Sequence, residues 1–192
     1  MRKKCSRLCA FLFAFIALAG LAGLALPGDL IVPVSGASGK NWNAYSFWYY
    51  PWGVSGVHKG IDIFAAEGTP VVASSPGIVI YSGNLSLGGN VVGVIGPKWR
   101  ICYYAHLGSS SVRQLDYVRR GQVIGSVGTS GNARGKPPHL HFAVLTTIPY
   151  IWRIDKGTQG WKKIYFLDPN ELLRNRDRPC AISFRKARVI PR

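Results

Sequence analysis

The sequence predicts a mainly β protein, an antiparallel sheet or β-roll with one short helical turn near its C-terminus. Three observations carry this. Gly (23) and Pro (12) are frequent beside many Val, Ile, Tyr and Trp residues, a mixture suited to short strands and tight turns. From Val57 to Val144, strand-sized apolar runs recur between turn residues. No strong amphipathic helical pattern runs through that stretch. A length of 192 residues suits one domain with appendages, and 47% apolar with 12% aromatic residues supplies a core.

Taken in order, residues 1–26 read as a targeting segment. Arg2, Lys3, Lys4 and Arg7 precede an unbroken apolar or small-residue run from Cys9 to Leu26. As a helix that run spans about 27 Å, near the ~30 Å of a hydrocarbon core. The flanking charge sends the rest of the chain across the membrane, after a cleaved signal peptide or a signal anchor. Residues 27–45 read as a linker or surface arm. Phe47, Trp48, Tyr49, Tyr50 and Trp52 form an aromatic stretch that covers a core or lines a groove. Strands are expected at Ile61–Phe64, Pro70–Ala73, Gly77–Tyr81, Asn90–Gly96, Trp99–Leu107, Gln122–Val127 and Leu140–Leu145. Thr129–Pro138 is a Gly- and Pro-containing loop. At Asp168–Arg174, Asp168 is placed to cap a short helix with Pro169 at its first position. This divides the chain into a leader (1–26), a linker (27–45), a core domain (46–148) and a basic extension (149–192).

All four histidines, His58, His106, His139 and His141, fall in or beside strands of this one region. Residues two apart in a strand share a face, so His139 and His141 converge while Leu140 and Phe142 enter the core. His58 and Asp62 are four apart, again an even spacing, with Ile61 and Ile63 facing inward. Two histidines and a carboxylate make a three-ligand zinc set, and three protein ligands leave one position open for water, the catalytic arrangement. Peptide hydrolysis also needs a general base and donors for the tetrahedral oxyanion. His106 and one of the 139/141 pair remain for those roles.

The segments GVHKGIDIFAAEGTPVVASSPGIVIYSG, YYAHL, VRRGQVIGSVGTSGNARG and PPHLHF, within about residues 54–145, resemble in order the lysostaphin/LytM-type zinc peptidases, β-sheet endopeptidases of bacterial peptidoglycan. The resemblance implies an antiparallel sheet crossed by an open substrate groove and one Zn2+ per chain, bound by His58, Asp62 and His141. It implies that His106 and His139 are the catalytic pair. The expected function is hydrolysis of peptide cross-links or stem peptides, and the alternative is a non-catalytic regulator of cell-wall amidases. Pro137-Pro138 lengthen the loop before His139 relative to many members, and residues 149–192 match no module.

A formal net charge of +16 would suit nucleic acid, but export excludes that partner and points to an extracytoplasmic location. The basic tail, with seven Lys or Arg in residues 174–192 against Asp177 alone, suits an anionic wall polymer or membrane surface. Arg134 and Lys136, in the loop before the histidine pair, are placed to meet a substrate carboxylate. Cys102 and Cys180 form a disulfide or remain two thiols, one in a strand and one in the tail.

Overall fold

The structure is a computed structural model that describes Ala14, Leu18 and residues 20–174. Most of the leader, the tail from 175 onward, and Cys180 with its proposed bridge lie outside the described residues. Among the described residues no helix is long and apolar enough to cross a membrane.

Nine strands form one antiparallel sheet: β1 (Ile61–Phe64), β2 (Pro70–Val72), β3 (Gly77–Leu85), β4 (Gly89–Ile95), β5 (Arg100–Ser110), β6 (Tyr117–Val118), β7 (Val123–Val127), β8 (His139–Thr146) and β9 (Phe166–Leu167). The main path runs β1-β8-β5-β4-β3-β6, with β2 and β7 paired to each other, β7 also joined to β5, and β9 joined to β8. The expected strands are present, and β3 and β5 run further than the apolar pattern indicated. The serine-rich end of β5 stays in the sheet because Ser109 and Ser110 pair with Ser126 and Gly125. The two-residue strands β6 and β9 are too short to show an alternation.

Alternation sorts the side chains of β1, β8 and β5 onto two faces. Ile61, Ile63, Leu140, Phe142, Val144, Cys102 and Tyr104 enter a core shared with Val71, Val79, Val94, Ile124 and Val127. Asp62, Phe64, His139, His141, Ala143, Tyr103 and Ala105 line the opposite face. Tyr104 is wholly buried, and its hydroxyl accepts from the Ser74 backbone N–H at 2.7 Å. Burial pushes the neighbouring Cys102 thiol up to about 11, against weaker hydrogen bonds from Ser75 and Tyr104.

The segment expected as a linker or surface arm runs along β2. Val34 bridges Val71, the Val72 N–H donates to Pro33 O, and Leu30 and Val34 are buried. In the C-terminal region, Pro169–Arg174 forms a short helix, α1, and the Asn170 N–H donates to Asp168 Oδ1 at 2.9 Å, the capping bond expected there. Asn170 is buried: its Oδ1 accepts from Trp42 Nε1 at 2.6 Å, and its Nδ2 donates to Ala44 O at 3.0 Å. That residue ties the arm to α1.

Candidate metal centre and groove

Strand register builds the site. Asp62 stands directly across from His141 in the β1–β8 pair, and Ala105 stands on the other side of His141 in the β8–β5 pair. Cross-strand neighbours on one face are within side-chain reach, so Asp62 and His141 meet without a special loop. His58 enters from the segment just before β1. Gly60 makes this approach close: a Cβ there would collide with Phe142 O and lie 3.0 Å from the His141 ring.

The three proposed ligands converge. His141 Nδ1 lies 2.9 Å from Asp62 Oδ1, and His58 Nε2 lies 3.1 Å from both of those atoms. Zinc with bonds of about 2.0–2.1 Å spaces tetrahedral ligand atoms about 3.3–3.4 Å apart, so this triangle fits after an opening of a few tenths of an ångström. Two imidazole nitrogens and one carboxylate oxygen are a donor set suited to zinc. Among the described residues the cluster has three members, which leaves the side toward the groove free for a further ligand. Burial disfavours the charged form of Asp62, but hydrogen bonds from His141 and His58 outweigh it and hold the carboxyl well below the usual carboxylate range. Burial also pushes His141 down, against the pull of Asp62.

Three histidines are oriented by main-chain carbonyls. The Nδ1–H groups of His58, His106 and His139 donate to Ser46 O (3.0 Å), Ser130 O (3.0 Å) and Pro137 O (2.8 Å). A carbonyl only accepts, so each ring donates from Nδ1, which turns its Nε2 away from the main chain. For His58, Nε2 faces the ligand triangle. The His106 and His139 rings stand 5.0 Å apart beside it, with His139 Nε2 at 3.9 Å from Asp62 Oδ2.

His106 reaches the groove against the alternation of its own strand. Tyr103 and Ala105 face the groove and Tyr104 and Leu107 face the core, so strict period two would send His106 inward with Tyr104. The backbone at His106 is left-handed instead (φ 63°), and its N–H donates to Gly88 O. This irregularity turns the side chain to the groove face, a costly conformation of the kind that clusters at functional sites. Burial, then the His141 and His139 rings, lower its pKa to about 4, so it is neutral at pH 7.

The groove has a volume of about 740 Å³. Of the tyrosine pair, Tyr103 lines it, and burial keeps that hydroxyl protonated. Lys136 lines the groove, whereas Arg134 does not. Trp52, from the aromatic stretch expected to cover a core or line a groove, stacks on His58 at 4.1 Å and 18° and forms part of the groove wall. Two contributions were not visible in the sequence. Lys59 is half-buried on the groove, and its Nζ donates to Ser55 O at 2.9 Å. The carbonyl partners carry no side-chain signature at all.

Comparison with known proteins places this arrangement. Lysostaphin of Staphylococcus staphylolyticus is 40% identical over 101 residues, 51% of this chain and 21% of that protein. The DD-carboxypeptidase/endopeptidase Mpg of Neisseria meningitidis serogroup B is 42% identical over 86 residues, 45% of this chain and 19% of that protein. The chain thus matches about a fifth of the length of these relatives. Among solved structures, the catalytic domain of the antimicrobial peptidase lysostaphin from Staphylococcus simulans superposes with a TM-score of 0.56 at 32% identity, covering 70% of this chain and 94% of that domain. The family model described as Peptidase family M23 matches residues 56–151, half of the sequence and the part that contains all five candidate site residues. On that match, the chain belongs to peptidase family M23.

Proposed function

We propose that this chain is a zinc-dependent endopeptidase that hydrolyses peptide cross-links or stem peptides of bacterial peptidoglycan outside the cytoplasm. The observation that carries the reading is the three-ligand cluster open to a groove, with two more histidines beside it whose rings are anchored through Nδ1 on main-chain carbonyls. His58, Asp62 and His141 are the zinc ligands, and residues 46–148 are the catalytic unit. When bound, zinc supplies Lewis acidity and lowers the pKa of a coordinated water to about 7. His106 and His139 handle the protons. Each ring is fixed through Nδ1, so the Nε2 of one of them can take the proton of the attacking water and return it to the leaving amine. A ring protonated in this way donates to the developing oxyanion. Tyr103, kept neutral, adds a hydroxyl donor at the groove wall. Lys59 and Lys136 line the groove, and among the described residues the only carboxylate there is that of the ligand Asp62. That charge favours peptides carrying free carboxylates, and stem peptides are therefore the preferred substrates.

The test is to incubate the zinc-loaded protein with intact peptidoglycan and analyse the released fragments by mass spectrometry. New peptide termini are expected, absent with Asp62→Ala. His106→Ala and His139→Ala should each lower the rate by about 10²–10⁴-fold while retaining zinc. Full cleavage by either variant would remove that residue from the mechanism. No fragments from a protein holding one zinc per chain would replace the enzyme reading with a non-catalytic regulator of amidases.

A further inference from the structure

One end of the molecule carries an exposed surface that combines apolar and basic groups. It is the end that receives residues 20–28. The Trp99 indole N–H donates to Gly20 O at 2.9 Å, Gly23 packs against the same ring, and the Lys98 side chain lies along Gly28. The Thr147 N–H and hydroxyl both donate to Trp99 O, at 3.1 and 3.2 Å, which draws the segment after β8 to this end. That segment exposes Ile151 (68%), Trp152 (75%), Ile154 (55%) and Trp161 (60%). The apolar groups are held out by structure: Ile151–Arg153 form a 3-10 turn, and Trp152 is stacked on Tyr150 at 5.0 Å and 11°. The Tyr150 N–H donates to Ile164 O and so brings the Gly160–Ile164 turn, with Trp161 and Lys162, alongside.

The charge around these groups is basic. Between residues 147 and 165 the sequence places Arg153, Lys156, Lys162 and Lys163 against Asp155 alone, and Lys163 pairs with Asp155. Lys98 adds a further cation beside Trp99.

We propose that this face docks on an anionic lipid surface, with Ile151, Trp152 and Trp161 entering the headgroup layer and Lys98, Arg153 and Lys156 meeting phosphates. Each feature has a separate reason. Indoles favour the membrane interface, where the ring is half in hydrocarbon and its N–H is wet. Basic side chains are drawn to anionic leaflets. Residues 20–26, the described end of the apolar run, meet the body of the protein at this same end. A second copy of the chain would bring like charges together, and a polyanionic polymer would have no use for exposed isoleucine and tryptophan. Docking there fixes the orientation of the catalytic groove relative to the membrane.

The experiment is hydrogen exchange on the full chain, with and without mixed phosphatidylcholine–phosphatidylglycerol vesicles. Amides of residues 147–156 should exchange about fivefold or more slowly with the mixed vesicles, and this protection should fade in high salt. Ile151→Ser combined with Trp152→Ser, at exposed positions, should abolish the protection while zinc binding is unchanged. Arg153→Glu should weaken it. Equal exchange with and without vesicles would overturn the proposal. Equal protection on phosphatidylcholine alone would overturn its electrostatic part. Protection that needs no vesicle and rises with protein concentration would assign the face to a second copy.

Discussion

At the scale of single residues, the site depends on how its rings are held. Trp52 lies flat on His58 and restrains it from the groove side, while Ser46 O restrains it from behind. Aromatic contacts of this kind contribute about 0.5–1.5 kcal/mol. Trp52→Ala should therefore weaken zinc binding about 2- to 12-fold in a chelator-competition titration. An unchanged affinity would make Trp52 groove wall and nothing more. His139, His141 and Asp62 were legible on one face because even spacing in a strand is a rigid geometric rule, whereas His58 joins them from the segment before β1, outside any strand. His106 was legible as a strand histidine, but its direction was not. Its left-handed backbone breaks the rule, and a left-handed non-glycine residue is set by contacts with Gly88 and Ser130, far along the chain. Lys59 escaped for a similar reason, since its burial comes from the Ser55 loop folding over it.

At the scale of elements, the strands that alternate over four or more residues could be placed from the sequence, and β6 and β9 could not. Two residues carry no period, and both strands exist only because β3 and β8 offer edges to pair with. The stretch 27–45 has few charges and many small polar residues, so it reads as a linker. Its packing rests on a few widely spaced apolar residues, Leu30, Val34 and Trp42, and on hydrogen bonds made by backbone groups. Asn170 is the junction between this arm and α1. Asn170→Ala would leave the Trp42 indole N–H and Ala44 O without their partner, at about 1–3 kcal/mol for a buried group left unpaired. The expected result is a lower urea midpoint with an unchanged slope. A midpoint equal to that of the parent would show that water reaches both groups.

For the whole molecule, a metal held by β8, by β1 and by the segment before β1 couples binding to the stability of the entire sheet. Free zinc at about 100 times its dissociation constant should stabilise the fold by about 2.7 kcal/mol. For a protein of this size that is a rise of about 5–10 °C in melting temperature. EDTA should reverse the rise, and Asp62→Ala should show none. A melting temperature indifferent to zinc in the parent would mean that the three ligands do not act as one site. The orientation of the histidines has a different consequence, for how this site drifts over evolutionary time. Their partners at Ser46, Ser130 and Pro137 are peptide carbonyls, which every amino acid supplies. Replacing those three side chains leaves the acceptors in place as long as the loops keep their course. Descendants can thus exchange all three identities and retain the tuned rings, and an alignment would record the histidines while leaving no trace of what aims them.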